Sequence, residues 1–315
     1  MANPISSRFV ISPEVSSALR QNVPVVALES TVITHGLPYP ENLNIAKEMQ
    51  SVIEEEGVQP ATTALLDGKI HVGVTTSQLE YLAQEKGLHK ISLRDFAPGI
   101  VKSLSGGTTV AGTMYVAHQA GIHVFATGGI GGVHRSFFNH SSGNLDISTD
   151  LQALAKFPVI VVCAGAKVIL DLPATLEVLE TLGIPVIGYQ TDEFPAFFSR
   201  KSGLKTSARA DSPDEVTAIA KAHWDMGFKS GVLVTVPPPS EVALAPEFVE
   251  QAVQKALREA EEKEVIGQDV TPFLLEQVSA ITGGASMQAN MGLLRNNSRV
   301  AAQIAHHWSK PSGVP

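Results

Sequence analysis

The run Val159-Ile160-Val161-Val162-Cys163 has no polar side chain, and runs interrupted by at most one polar residue recur at residues 24–28, 122–126, 186–189 and 231–236. A strand with one wet face alternates apolar and polar residues. A continuous apolar run of this length is instead buried on both faces. Between these runs lie helical patterns at 41–56, 77–85, 109–120, 150–155 and 174–182, several closed by a glycine such as Gly57, Gly121 or Gly183. Strands covered on both faces by the helices that connect them predict an α/β fold. Residues 62–66 and 70–74, joined by Asp67-Gly68-Lys69, predict a hairpin, which makes the sheet mixed. Helices follow at 246–264, 272–281 and 286–306. With no internal repeat and no low-complexity linker, the expectation is a single domain over 1–315, with flexible tails at 1–10 and 307–315.

The chain carries 23 Lys and Arg against 31 Asp and Glu, a formal net charge of −8, which argues against nucleic acid as a partner. It leaves room for a small anionic substrate, which needs only a few local cations and helix N-termini. Cys163 is the single cysteine, so no intramolecular disulfide forms and a reducing compartment is expected. No apolar run approaches the roughly 18 residues of a membrane span. The N-terminus lacks the features of a signal peptide. The expectation is a cytoplasmic protein with no membrane partner.

Several groups of residues carry chemistry. Glu29 stands where the strand at 24–28 ends, with His35 just beyond; a carboxyl there is either a general acid or base or the partner of a nearby lysine. Lys167 follows the strand at 159–163 in the same way. An isolated lysine snorkels to solvent; one in apolar surroundings or beside a second cation, such as Lys90, becomes an amine nucleophile suited to a sugar-phosphate aldehyde. Gly106-Gly107-Thr108-Thr109-Val110 precedes a helix and reads either as loop and cap or as an anion site. Thr127-Gly128-Gly129-Ile130-Gly131-Gly132 follows a strand and leads to His134-Arg135, which adds a titratable group and a fixed cation suited to phosphate. Its glycines let backbone approach a ligand, but the spacing fits neither a dinucleotide fingerprint nor a P-loop. Asp146-Ile147-Ser148-Thr149-Asp150 reads as a helix-start cap, or as oxygen ligands for a water-rich divalent cation. The remaining histidines read as surface or packing residues.

The stretches ALESTVITHGLPYPENL, TTVAGTMYVAHQAGIHVFATGGIGGVHR, DISTDLQALAKFPVIVVCAGAKVILDLPATLEVLE, IGYQTDEFPAFF and TPFLLEQVSAITGGASMQANMGLLRNN together closely resemble the pseudouridine-5′-phosphate glycosidase family, from about residue 11 to 305. The resemblance implies a three-layer α/β/α sandwich with a mixed central sheet, a single catalytic domain, a homotrimer and a bound divalent cation, Mn²⁺ or else Mg²⁺. It implies reversible cleavage of pseudouridine 5′-phosphate to uracil and ribose 5-phosphate. Matched motif to motif, Lys167 falls on the Schiff-base lysine, Glu29 on the proton donor and Asp146 on the metal aspartate. Lys90, Val110, Ser148, Thr149 and Asp150 fall on substrate-contacting positions, Asn290 on a uracil or ribose contact, and Thr127 and His134 near the ligand. The segment 136–145 looks longer than the family pattern.

A C–C glycoside offers no leaving-group oxygen to protonate, so the two-carboxylate scheme of ordinary glycosidases does not transfer. The expectation is that Glu29, with Asp150, assists ribose ring opening, and that Lys167 captures C1′ as an imine-type adduct. Phosphate is expected on the backbone of Thr108 and Thr109 and of 128–134, with Lys90 as cation. Two other readings use the same residues: a Schiff-base lyase or aldolase on another sugar phosphate, and a non-catalytic sugar-phosphate sensor.

Overall fold

The computed structural model describes residues 7–135, 146–265 and 270–309. The chain begins with β1 (Phe9–Ile11), α1 (Pro13–Arg20) and β2 (Val25–Leu28), followed by a π-helical turn (Val32–Gly36) and α2 (Glu41–Glu55). The hairpin is β3 (Gln59–Leu66) with β4 (Lys69–Val72). Next come α3 (Thr76–Gln84), β5 (His89–Ile91), a 3₁₀ turn (Leu93–Asp95), α4 (Phe96–Val101) and β6 (Gly106–Thr108). The middle of the chain runs α5 (Val110–Ala120), β7 (Val124–Ala126), β8 (Val133–His134), α6 (Thr149–Lys156), β9 (Ile160–Cys163), β10 (Leu170–Asp171) and α7 (Leu172–Thr181). It ends with β11 (Val186–Tyr189), β12 (Ala208–Ala210), α8 (Pro213–Asp225), β13 (Val232–Thr235), α9 (Pro246–Glu262), α10 (Val270–Ile281) and α11 (Ala285–Trp308).

Every residue of β2, β7, β9, β11 and β13 is buried, as continuous apolar runs require. These strands form the parallel centre of a sheet ordered β1-β4-β3-β2-β7-β9-β13-β11-β12. The hairpin makes the sheet mixed: β3 pairs parallel with β2 through its first half and antiparallel with β4 through its second. Helices α2, α8 and α11 pack together as one layer and α5 with α6 in another, giving a three-layer α/β/α sandwich.

Beyond Leu28 the sheet forks. The second half of β3 leaves β2 and pairs with β6, which in turn pairs with β5. Ser30 plugs the fork: its hydroxyl donates to the Thr63 carbonyl at 2.6 Å and accepts from the Thr108 amide at 3.0 Å. On the other side of β2, the pairing of β7 with β9 carries on past both strands. A bridge from Ile130 to Ala166 is followed by the Lys167 amide donating to the Ile130 carbonyl at 3.0 Å.

The chain ends are more ordered than the sequence suggests. Phe9 and Val10, expected in a tail, pair with β4, and α11 continues through His307 to Trp308. Residues 1–6 and 310–315 of the expected tails, and the segment 136–145, lie outside the described residues.

Gly165 links β9 to Lys167 with φ of +88°, and a Cβ there would run into the carbonyl oxygen of Pro195. We expect Gly165→Ala to lower the unfolding free energy by about 1–3 kcal/mol, measured by urea titration. An unchanged midpoint would show that this turn tolerates a side chain.

Candidate active site

In an open α/β sheet, ligands lie beyond the carboxyl ends of the strands, where strand order reverses. Here β3 lies on one side of β2 and β7 on the other, so the reversal falls between β2 and β7. Glu29 is the first residue after β2 and Thr127 the first after β7, and the Thr127 hydroxyl donates to Oε1 of Glu29 in a short hydrogen bond. Lys167 stands beyond β9, the next strand across. A cavity of about 560 Å³ opens over these strand ends, walled by Glu29, Lys90, Thr109, Val110, His134 and Lys167 together with the 146–150 segment. It joins a neck of about 50 Å³ whose walls include Glu29, Lys90, Thr127, Lys167 and Asn290. Through His35, Leu275 and Asn290 the neck meets a more apolar cavity of about 590 Å³. Every residue that the family resemblance assigned to the site therefore lines one connected cleft. A separate hollow of about 500 Å³ at the opposite strand ends, around Gly121 and Trp308, has no carboxylate or amine in its wall.

Glu29 is 6% exposed. Burial raises its carboxyl above the ordinary glutamate range; the charge of Lys167 opposes this most, followed by the Thr127 hydrogen bond, with Lys90 also opposing and Asp150 adding to the rise. Lys90 is pushed below the ordinary lysine range, first by burial and then by the charge of Lys167. His35 is also lowered, chiefly by burial. Its Nε2–H donates to the Leu88 carbonyl at 3.1 Å, which leaves Nδ1 to accept from the Thr34 hydroxyl at 2.6 Å. Cys163, at the end of β9, has its thiol pushed up to about 12 by burial, so it is not the nucleophile.

The structure corrects three expectations. Asp150 does not face outward as a proton shuttle: Oδ1 accepts the Ala111 amide at 2.9 Å and Oδ2 the Gly131 amide at 2.8 Å. The Gly131 amide, one of the backbone groups expected to meet a phosphate, therefore already holds a carboxylate, and Thr108 is fully buried among protein hydroxyls. Gly131 is glycine because a Cβ would collide with Ser148 and Asp150, so close packing rather than ligand approach explains it. Arg135 turns away from the cleft, donating to the carbonyls of Leu170 and Val168 and pairing with Glu250 at 2.7 Å. Among the described residues an exposed cation in the cleft wall is Arg94, to which the sequence reading gave no role.

Ser148 caps α6 and Thr109 caps α5, so the cap reading of both segments holds. Asp146 remains exposed to the cavity, with Oδ2 at 3.8 Å from Nδ1 of His134. That nitrogen is buried without a hydrogen-bond partner among the described residues, and burial disfavours the charged ring. A neutral imidazole nitrogen beside a carboxylate fits a divalent cation as a two-residue, water-completed site. Among the described residues no larger cluster of His, Cys, Asp and Glu exists to hold one. Nor is any described helix long and apolar enough to cross a membrane.

Because Glu29 has a raised pKa in the fold, the native state keeps a proton that the unfolded chain loses first as pH rises. Stability from this group is thus present at low pH and lost as pH climbs from the ordinary value of 4.5 through the folded value. Glu29→Gln removes that loss. The Tm difference, variant minus wild type, should be larger at pH 8 than at pH 4.5 in a thermal melt. A constant difference would contradict the raised pKa.

Residues 14–307 match the family described as indigoidine synthase A-like protein. A pseudouridine-5′-phosphate glycosidase of Caldanaerobacter subterraneus subsp. tengcongensis is 48% identical over 305 residues, 96% of this chain and 98% of its own. One from Herpetosiphon aurantiacus is 50% identical over 299 residues, 95% of this chain and 97% of its own. Among solved structures, the prealnumycin C-glycosynthase AlnA in complex with ribulose 5-phosphate is 36% identical with a TM-score of 0.87, covering 96% of this chain and 98% of that one. An indigoidine synthase A-like protein of Thermotoga maritima MSB8 is 34% identical with the same TM-score, covering 96% and 97%. With the fold, the cleft and nearly full-length identity in agreement, this chain is an enzyme of the indigoidine synthase A-like family, to which these pseudouridine-5′-phosphate glycosidases belong.

Proposed function

We propose that the chain is a pseudouridine-5′-phosphate glycosidase, interconverting pseudouridine 5′-phosphate plus water with uracil plus ribose 5-phosphate. The observation that carries this reading is that Glu29 and Lys167, from different strand ends, wall both the charged cavity and the neck. The names of the relatives support the same substrate, and AlnA was solved with a pentose phosphate.

In the cleavage direction, Glu29 gives a proton to O4′ as the C1′–O4′ bond breaks. The pyrimidine loses its N1 proton, leaving C1′ doubly bonded to C5. The Lys167 amine adds at C1′, the electron pair returns to the ring, which regains its N1 proton, and the resulting ammonium passes its surplus proton back to Glu29. Protonation of C5, again by Glu29, prepares the C1′–C5 bond to break. Its pair re-forms the C5–C6 double bond of uracil while the Lys167 nitrogen forms the imine to C1′. Water hydrolyses the imine, releasing ribose 5-phosphate and the free amine. Asp150, tied to two backbone amides, serves as a fixed charge next to this chemistry and carries no proton in it. Phosphate binds in the charged cavity, whose walls include Lys90 and Arg94, rather than on the amides that Asp150 occupies.

A divalent cation, Mn²⁺ or Mg²⁺, would be held by Asp146 with Nδ1 of His134, and would supply charge to orient phosphate oxygens through water. The same reading includes a homotrimer and a cytoplasmic location. Sedimentation would check the former.

Incubation with uracil, ribose 5-phosphate and Mn²⁺ should yield pseudouridine 5′-phosphate by mass and ultraviolet spectrum; no product sinks the assignment. Borohydride with ribose 5-phosphate should trap a stable adduct on Lys167 by peptide mapping. An adduct on another lysine would displace it from its role. Lys167→Ala should lower turnover by at least about a thousandfold while leaving the thermal melt cooperative.

A further inference from the structure

Thr127 is fully buried, and its hydroxyl donates to Oε1 of Glu29. Among the described residues that hydroxyl makes no other hydrogen bond, and Oε2 of Glu29 makes none to protein. Oε2 is not one of the sealed, partnerless atoms either, and Glu29 walls both the cavity and the neck, so Oε2 is the oxygen open to the cleft. Thr127 is itself held from two sides. Its amide donates to the Val162 carbonyl at 3.0 Å, and its carbonyl accepts from Nδ2 of the fully buried Asn297 at 2.8 Å. The β-branched side chain has few rotamers to choose from. Its hydroxyl cannot turn elsewhere without leaving a buried donor unmade.

This arrangement constrains where a proton on Glu29 sits. A proton on Oε1 makes that oxygen the poorer acceptor of the carboxyl group, and so weakens the one hydrogen bond that the Thr127 hydroxyl makes. A proton on Oε2 keeps the Thr127 bond intact in both protonation states. We propose that Thr127 is a positioning residue for proton transfer: by occupying Oε1 it keeps the exchangeable proton of Glu29 on Oε2, facing the reacting atoms. The proposal rests on the reading of Glu29 as the proton carrier. Thr127 touches neither sugar nor base in it, which distinguishes the role from the substrate contact suggested by family resemblance.

The test is the pH dependence of kcat for pseudouridine 5′-phosphate cleavage in four variants of the full chain. Glu29→Gln identifies the limb that belongs to Glu29 by abolishing it. Thr127→Val keeps the shape and removes the donor. It is expected to lower kcat by about 10- to 100-fold with little change in KM, and to move that limb up by about one pH unit. Thr127→Ser, which restores a hydroxyl, should bring both back to within about twofold and a few tenths of a unit of wild type. An unmoved limb and near-normal kcat in Thr127→Val overturn the proposal. If that variant does not fold, Thr127→Cys decides: its weaker S–H donor should move the limb in the same direction by less, and no movement overturns the proposal. Retention of both turnover and limb in Glu29→Gln removes Glu29 as proton carrier, and the proposal falls with that reading. A lost limb in Glu29→Gln beside an unmoved one in Thr127→Val sinks the Thr127 role alone.

Discussion

A carboxyl group taken out of water must be neutral, paired or hydrogen-bonded, and the way β2 and β7 part determines how Glu29 meets that demand. The two strands lie side by side and end together, with Leu28 opposite Ala126. Glu29 and Thr127 are thus neighbours across the reversal of strand order although 98 positions separate them in sequence. Had β7 been inserted elsewhere in the sheet, the carboxyl would lose its donor. The group would then face burial with only the lysines to oppose it. The cleft exists because the chain leaves this point in opposite directions, towards β3 and towards β7 and β9.

The position of Lys90 follows from the fork at Ser30. Lys90 lies on β5 opposite Gly107 of β6, and β6 is held to β3 by Ala64–Gly107 and Leu65–Gly106 pairing. Beneath that junction the hydroxyls of Thr63, Thr108 and Thr113 form a closed set, with separations of 2.7, 3.0 and 3.2 Å. Each is fully buried, so each hydroxyl must find its partner within the set or on nearby carbonyls. His35 adds a second tie by holding Leu88, just before β5. A lysine pushed below its ordinary pKa is therefore carried on a short strand anchored from both ends. That anchoring lets burial, rather than solvent, govern its charge.

The parts of the fold legible in sequence are those set by long, local patterns. The apolar runs of β2, β9, β11 and β13, the Asp67-Gly68 hairpin and the helices α2, α5, α9 and α11 all follow from residue type and spacing. The two- and three-residue strands β5, β6, β8, β10 and β12 do not, because pairing partners far along the chain define them. Gly106-Gly107-Thr108 reads as loop and becomes β6 only because β3 and β5 lie beside it. Helix α8 is a different case. Ser212-Pro213-Asp214-Glu215 carries a start signal, with the Ser212 hydroxyl accepting from the Glu215 amide at 3.2 Å, yet it is missing from the expected elements. At the site, Glu29 and Lys167 stand out as polar residues ending apolar strands. Asp150 and Arg135 mislead because a charge read from sequence carries no direction, and both turn to backbone. Asn297 gives no signal beyond being polar on an apolar helical face.

The cleft divides chemically along its length. Its charged end gathers Lys90, Arg94, Asp146 and Asp150 in about 560 Å³, while the other end, of about 590 Å³, is walled by Leu37, Pro38, Phe198, Leu275 and Met287. A ligand with an anionic head and a flat, uncharged ring is soluble in both ends only when laid in one direction. On the proposed function, the bond joining its two parts would lie in the neck, whose walls carry Glu29, Lys167 and the amide of Asn290. Asn290 offers a donor and an acceptor on one rigid plane, which matches the edge of a pyrimidine better than it matches phosphate or a sugar hydroxyl. On that proposal, orientation in this cleft would come from solvation at its ends, and the reacting groups would need only to hold the middle.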